Sequence, residues 1–235
     1  MSYRESRAAL TGAVLWRREV GVPRCARILP DGCTDLIWSS RTGLLVAGSD
    51  TTAQLSHLTA GEVLVGLRFP PGAGPAVFGV PAGELTDRRV PLDALWPAAT
   101  VRAIGADPAT AAAVLDRVAH DRLRRAGGPD PRGPVIARYA AAGASVAATA
   151  EVVGLSERQL HRTCVDLFGY GPKTLARVLR LRRALALIEA GTPASHAAAD
   201  AGYADQPHLS RDVRALAGVP LRTLTRTPHN TTAST

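Results

Sequence analysis

Short apolar runs separated by turn residues fill the first hundred residues of the chain. The runs lie at residues 13–16, 36–38, 44–47 and 63–69. Proline, glycine and aspartate come between them, as in Pro30-Asp31-Gly32, and these residues favour tight turns. Several short strands joined by such turns are typical of an all-β barrel or sandwich, so the pattern predicts a β-rich N-terminal domain.

The hydrophobic spacing changes from that of strands to that of helices near Asp107-Pro108, a favourable start for a helix. Apolar residues then recur at helical spacing until glycines and prolines at residues 127–131 end the segment. We therefore predict an α+β chain. Its parts are a β-rich domain (1–105), a helix with an interdomain linker (106–131), an all-α domain (132–226) and a disordered polar tail (227–235).

Two segments of the helical part resemble each other, residues 148–162 and residues 197–211. Four residues of the first unit recur in order, at one constant offset, in the second. The matched pairs are Leu160 with Leu209, Arg162 with Arg211, Gly169 with Gly218, and Leu175 with Leu224. Four ordered matches indicate a duplicated structural unit.

Each repeat unit has the pattern of a helix-turn-helix. A short Ala-rich helix ends at a glycine, Gly154 or Gly202, which readily adopts the left-handed conformation that ends a helix. In the first unit, Ser156 and Gln159 have the spacing of a capping box that begins a second helix. Asp205 is the corresponding cap in the second unit. A longer helix over residues 172–189 is predicted to join the two units.

The polar residues that face outward from each second helix are the side chains expected to read bases, since Arg pairs with guanine and Gln with adenine. These candidates are Arg158, His161 and Arg162 in the first unit and Gln206, His208 and Arg211 in the second. Nearby cations and hydroxyls are expected to contact phosphate. The phosphate candidates are Ser156, Lys173, Arg177, Arg182 and Ser210.

The charge of the chain agrees with nucleic acid as a partner and changes nothing about the fold. The formal net charge is +8, nearly all of it from arginine, because Lys173 is the only lysine. No segment has the length and hydropathy of a membrane span or a signal peptide, so we expect a cytoplasmic protein that does not bind a membrane. The spacing of cysteine and histidine predicts no metal site, and no motif predicts a cofactor.

Residues 201–211 and 216–220 resemble the signature of the AraC family of bacterial regulators in order and spacing. The resemblance covers about residues 132–226. It implies two helix-turn-helix motifs joined by a long helix, binding to double-stranded promoter DNA, activation as the usual outcome, and contact with RNA polymerase. Tyr203 and Leu209 stand where many members carry Phe, and both keep an apolar body. Pro207 is tolerated if it lies in the first helical turn.

Residues 29–38 and 65–72 resemble an uncharacterised N-terminal domain that occurs in a subset of these regulators. By analogy with the cupin-like sensor domains of the family, this implies a small-molecule effector and allows a homodimer. The candidate effector-binding residues lie near two predicted turns. They are Asp31, Cys33, Asp35 and Arg68.

Two other functions remain open at this point. One is an enzyme fused to a DNA-binding domain, for example one that uses Cys25 or Cys33 as a reactive thiolate. The other is a constitutive DNA-binding protein whose β domain only oligomerises. The favoured interpretation is a regulator without enzymatic activity that responds to an unidentified small molecule.

Overall fold

A computed structural model describes residues 2–226 and shows a β-rich N-terminal domain followed by a helical C-terminal domain. This arrangement confirms the predicted fold class. The predicted disordered tail, residues 227–235, lies outside the described residues.

In the part of the chain that the structure describes, eight strands form two antiparallel sheets. The strands are β1 (Ser2–Arg7), β2 (Val14–Glu19), β3 (Arg24–Ile28), β4 (Thr34–Ser39), β5 (Gly43–Ala47), β6 (Gln54–Leu58), β7 (Val63–Phe69) and β8 (Arg89–Pro91). Six strands pair in the order β1-β2-β7-β4-β5-β8, and β3 pairs with β6 in a separate ribbon. The four apolar runs of the sequence lie in or beside β2, β4, β5 and β7.

The centre of the larger sheet is buried by aliphatic and aromatic pairs across strands. Leu36 lies opposite Leu67, and Trp38 lies opposite Val65, all four with at most 8% of their surface exposed. Such cross-strand pairs stabilise a sheet. They also fix its register, because a one-residue slip would turn these side chains toward solvent.

Within the described residues, three α-helices complete the N-terminal domain: α1 (Gly74–Phe78), α2 (Ala98–Ala103) and α3 (Ala111–Arg125). Leu115 and Ala119 of α3 are fully buried in the same core as the sheet, so α3 packs on the β domain. The helix begins at Ala111, later than the sequence suggested. Asp107 accepts hydrogen bonds from the amides of residues 109 and 110, and so caps the turn that precedes the helix.

Up to Arg226, where the description ends, seven helices form the C-terminal domain: α4 (Arg132–Ala141), α5 (Val146–Val152), α6 (Glu157–Phe168), α7 (Pro172–Glu189), α8 (Ala194–Asp200), α9 (Gln206–Ala217) and α10 (Leu221–Arg226). Helix α7 has the bounds predicted for the joining helix. Its first half packs in one core with α4, α5 and α6, and its second half packs in another with α8, α9 and α10. Within residues 2–226, no helix combines the length and hydropathy needed to cross a bilayer.

Candidate nucleic-acid interface

The first helix-turn-helix consists of α5, a turn at Gly154, and α6. Gly154 has φ of +68°, the left-handed conformation predicted for the end of α5. The capping box predicted for α6 is confirmed, because the Ser156 hydroxyl accepts from the amide of Gln159 at 3.3 Å while the Gln159 side chain accepts from the amide of Ser156 at 2.8 Å. The sequence therefore sets the start of α6 locally.

The second helix-turn-helix repeats this construction with α8, a turn at Gly202, and α9. Asp205 caps α9 by accepting the amide of His208 at 2.6 Å, as predicted. Pro207 lies in the first turn of α9, where its missing N–H has no helical partner to lose. Tyr203 is buried beneath the turn and anchors it in the core.

The two second helices bury one face and expose the face that carries the base-reading candidates. Leu160 and Cys164 of α6 and Leu209 and Val213 of α9 are fully buried. The base-reading candidates that are exposed are Arg158, His161, Arg162, Gln206 and Arg211. His208 is half-buried, and its ring meets the Tyr203 ring edge-on at 5.1 Å. Their role in reading bases stays a prediction.

A groove on the surface lies between α6 and the start of α7. Arg158, His161 and Lys173 line this groove, and a Cβ placed on Gly171 would lie 2.7 Å from Nε2 of His161. Lys173 is exposed in the first turn of α7. The groove therefore joins two base-reading candidates with one phosphate candidate. The two phosphate candidates that carry hydroxyls differ in exposure. Ser156, the N-cap of α6, is exposed, whereas Ser210 is half-buried.

Arg177 takes part in an ion-pair network that the sequence did not indicate. Its Nε lies 2.8 Å from Oδ1 of Asp212, and Nη2 of Arg180 lies 3.1 Å from Oδ2 of the same carboxylate. The Arg180 guanidinium also stacks over the Tyr203 ring at 4.4 Å from its centroid. Because Asp212 belongs to α9, this network fixes α9 against α7. It also occupies part of the donor capacity that Arg177 would offer to phosphate.

Arg182 lies on a different face of α7 from Lys173 and Arg177. Helix α7 presents Leu179, Arg182, Arg183 and Ala186 to a cavity at the β domain, whereas Lys173, Ala176, Arg177 and Arg180 line a depression beside α4 and α5. At 100° per residue, these two sets are about 120° apart around the helix. The placement of Arg182 argues against the phosphate contact predicted for it.

We expect Lys173→Ala to reduce the salt dependence of DNA binding and Arg182→Ala to leave it unchanged. Each phosphate contact that is removed should lower the slope of log affinity against log salt by about 1. The measurement is a binding titration on one duplex at several salt concentrations. An equal decrease for both variants would place Arg182 at the DNA after all.

The candidate effector residues lie together in the β domain, as a consequence of strand register. Asp35 of β4 lies opposite Arg68 of β7. Nε of Arg68 is 3.4 Å from Oδ1 of Asp35 and 3.6 Å from Oδ2 of Asp31. Asp31 also accepts the amide of Cys33 at 2.9 Å. Burial raises the pKa of Asp35 above its usual range, although the adjacent Arg68 opposes that shift.

Three of these four residues line a cavity of about 590 Å³ between the β domain and α7. Asp31, Cys33 and Arg68 line it from the β domain, whereas Arg182 and Arg183 line it from α7. The volume is within the range of small-molecule sites. Both domains therefore line this cavity, whereas the sequence-based prediction placed the candidate effector residues in the β domain alone.

Cys33 and Cys164 do not have the environment that a thiolate nucleophile needs, whereas Cys25 is exposed on β3. Burial, reinforced by the neighbouring Asp31, raises the pKa of Cys33 well above its usual range. Burial raises the pKa of Cys164 to about 12. A cysteine nucleophile is activated by a lowered pKa, so this electrostatic environment counts against a catalytic role for Cys33.

The fold defines a protein of the double helix-turn-helix class. A helix-turn-helix domain family matches residues 149–227, and a family described as Domain of unknown function (DUF6597) matches residues 13–91. The chain therefore carries an AraC-type helix-turn-helix domain behind a DUF6597 domain, which confirms both resemblances noted in the sequence. A comparison with curated proteins gave no significant match.

Solved structures of ToxT from Vibrio cholerae share the fold over nearly the whole chain. ToxT of strain O395, bound to (E)-4-(8-methylnaphthalen-1-yl)but-3-enoic acid, is 9% identical with a TM-score of 0.50, covering 96% of this chain and 99% of its own. Unsaturated fatty acid bound wild-type ToxT of strain SCE256 is also 9% identical with a TM-score of 0.50, covering 94% and 97%. At this identity the likeness shows the fold alone.

Proposed function

We propose that this protein is a sequence-specific, non-enzymatic transcription regulator whose DNA binding responds to a small molecule. The observation that carries the proposal is the duplicated helix-turn-helix, in which α6 and α9 each bury an apolar face and expose polar residues at equivalent positions. Residues 132–226 are the proposed DNA-binding unit, and residues 1–105 are the proposed effector-binding unit, connected through residues 106–131.

Two recognition helices joined by one helix suit two consecutive major grooves, which lie about 34 Å apart on one face of DNA. The test is footprinting of the full chain on the DNA upstream of its own and adjacent genes, across a salt series. A discrete footprint of about two helical turns for each protomer supports the proposal. Diffuse binding that only follows salt would reduce the protein to a basic helical domain without sequence preference.

Transcription from a footprinted promoter then tests the proposed contact with RNA polymerase. Purified polymerase and the protein should give more transcript together than polymerase alone, since activation is what the family resemblance implies. A decrease would indicate a repressor with the same DNA-binding surface.

We propose that the effector site is the cavity between the β domain and α7, and that the ligand is an amphipathic organic anion. The lining includes four arginines, Arg7, Arg68, Arg182 and Arg183, against one acid, Asp31, and most of the remaining wall is apolar. A ligand with an apolar body and one carboxylate complements such a wall. The two ToxT ligands named above are carboxylic acids, which agrees with this ligand class without establishing it.

We expect unsaturated C16 and C18 fatty acids to raise the melting temperature of the protein, and their uncharged methyl esters to raise it less. A ligand at a hundred times its Kd should stabilise the native state by about 2.7 kcal/mol. Arg183→Ala should reduce the difference between acid and ester, whereas Arg41→Ala, an exposed arginine in a turn of the β domain, should not.

Equal stabilisation by acid and ester would contradict an anionic ligand. If no acid changes either stability or DNA affinity, the constitutive protein with an oligomerising β domain becomes the better interpretation. Gel filtration at several concentrations distinguishes that case, because a stable homodimer keeps its elution volume on dilution.

A further inference from the structure

Helices α6 and α9 are the two proposed recognition helices. The β domain donates a hydrogen bond to the last residue of each of them. Phe168 and Ala217 are the last residues of α6 and α9, and each precedes one of the matched glycines. The Ser49 hydroxyl donates to the carbonyl oxygen of Phe168 at 2.6 Å, and Nη1 of Arg27 donates to that of Ala217 at 2.8 Å. Equivalent carbonyls in the two units are therefore both held by the other domain.

A neighbouring carbonyl at each helix end is held in the same way. The Thr86 hydroxyl donates to the carbonyl oxygen of Gly169 at 2.8 Å. The amide of Ala53 donates to the carbonyl oxygen of Leu216 at 2.7 Å. The last carbonyls of a helix have no partner within it, so the β domain supplies hydrogen bonds that both recognition helices lack.

One loop, residues 48–53 between β5 and β6, reaches both helices. It contacts the end of α6 through Ser49 and the end of α9 through Ala53. Asp87 is hydrogen-bonded to two residues of this loop. Its carboxylate accepts the amide of Thr51 at 2.7 Å and the Thr51 hydroxyl at 2.6 Å, and its amide donates to the carbonyl oxygen of Ser49 at 3.0 Å.

The backbone conformation of Asp87 is uncommon for a residue with a Cβ. Among residues 2–226, Asp87 is the residue other than glycine that has a positive φ, +57°. A left-handed conformation at a residue with a Cβ is retained when its surroundings determine it, and it often marks a functional position. Asp50 in the same loop is further tied to Arg89, with contacts of 2.8 and 2.6 Å between the carboxylate and the guanidinium.

We propose that the loop of residues 48–53, together with Arg27, positions the two recognition helices relative to each other and thereby selects the spacing between the two DNA half-sites. The inference rests on the proposed DNA-binding function. The base-reading candidates lie in the first half of each helix, whereas the β domain hydrogen-bonds to the last residues. These hydrogen bonds therefore leave the ends that face DNA free. Helix α7 connects the two units on one side, and this loop connects them on another, which makes a stiffer frame than a single helix.

The test measures binding to duplexes in which the spacing between half-sites varies. The wild-type chain first selects a two-part site from a random duplex library. One to three base pairs are then inserted or removed between the halves. Each inserted pair rotates one half-site by about 34° and moves it along the axis, so we expect the wild type to lose about tenfold in affinity for a one-pair change.

Asp87→Ala is the informative variant, because Asp87 holds the loop without being a donor to either recognition helix. We expect it to bind the selected site with an affinity close to that of the wild type and to lose less than about threefold on a one-pair insertion. The double variant Ser49→Ala, Arg27→Ala should behave in the same way. Ser6→Ala with Arg4→Ala, two exposed residues of β1, is the matched control and should keep the wild-type profile.

An unchanged spacing profile in both variants overturns the inference while leaving the proposed function intact. An equal loss of affinity at every spacing also overturns it, since that result indicates only a general destabilisation. Failure of the wild type to select any two-part site removes the proposed function itself, and this inference with it.

A second readout requires no DNA. Spin labels at Glu151→Cys in α5 and Asp200→Cys in α8, both exposed, report the distance between the two units in a Cys25→Ser, Cys33→Ser background. We expect the distance distribution to broaden when Asp87→Ala is added. A distribution that stays equally narrow would show that α7 alone fixes the two units, and would overturn the proposal.

Discussion

Arg162→Ala and Arg211→Ala are each expected to weaken binding to the specific DNA site by about 1–3 kcal/mol, with a smaller effect on random DNA. The two arginines occupy matched positions of the repeat and are exposed on α6 and α9. An arginine that donates two hydrogen bonds to guanine gives discrimination of this size, because the wrong base leaves those donors without acceptors. The measurement is a competition titration of the selected duplex against random duplex.

The ratio of specific to random affinity is the decisive quantity, because any lost positive charge weakens binding to every duplex. Arg41→Ala removes an exposed arginine from a turn of the β domain and serves as the control. If both recognition-helix variants lose specific and random binding in equal proportion, these arginines contact phosphate. The exposed face of α6 and α9 would then be assigned incorrectly.

The helix-turn-helix units could be predicted because their determinants are local. The Ser156–Gln159 capping box and the glycine turns are specified within a few residues, and buried leucines recur at helical spacing. The duplication then reinforced each unit with the other. The same reasoning fixed the bounds of α7, which begins at a proline and ends where the apolar spacing ends.

Half of the strands could not be predicted, because they carry polar residues. Strand β3 reads Arg-Cys-Ala-Arg-Ile and β6 reads Gln-Leu-Ser-His-Leu, and only Ala26 and Leu58 of these residues are buried. An exposed two-stranded ribbon has no continuous apolar run by which a sequence would reveal it. Its role in holding α9 through Arg27 depends on tertiary contacts that no periodicity encodes.

The contacts of the candidate site residues could not be predicted, for the same reason. Asp35 and Arg68 are far apart in sequence but meet because β4 and β7 are neighbours in the sheet. Arg182 and Lys173 read alike as cations on one helix, yet they face different parts of the molecule. The hydrogen bonds from Ser49 and Thr86 end on backbone carbonyls, so no partner side chain in the sequence points to them. The β domain therefore both lines the proposed effector cavity and donates hydrogen bonds to the ends of α6 and α9.

Gly169→Ala is expected to destabilise the protein more than Gly202→Ala, although both glycines end a helix of the repeat in nearly the same conformation. Their φ angles are +87° and +86°. An alanine in the left-handed region costs about 1–2 kcal/mol at either position. At Gly202 a new Cβ would meet no atom within 4 Å, whereas at Gly169 it would lie 2.3 Å from the Thr86 hydroxyl and 2.6 Å from the Ser49 hydroxyl.

The additional penalty at Gly169 should be about 1–3 kcal/mol, the usual result of forcing atoms into a packed contact. Chemical denaturation measures it with two signals, because all three tryptophans, Trp16, Trp38 and Trp96, lie in the β domain, whereas circular dichroism follows the helices. Gly169→Ala should separate the two transitions, since it disrupts the contact through which the domains stabilise each other. Gly202→Ala should lower the helical transition and leave the two signals as closely coupled as in the wild type. If Gly169→Ala is no more destabilising than Gly202→Ala, the β domain does not grip the end of α6 tightly, and the positioning role of the 48–53 loop loses its structural basis.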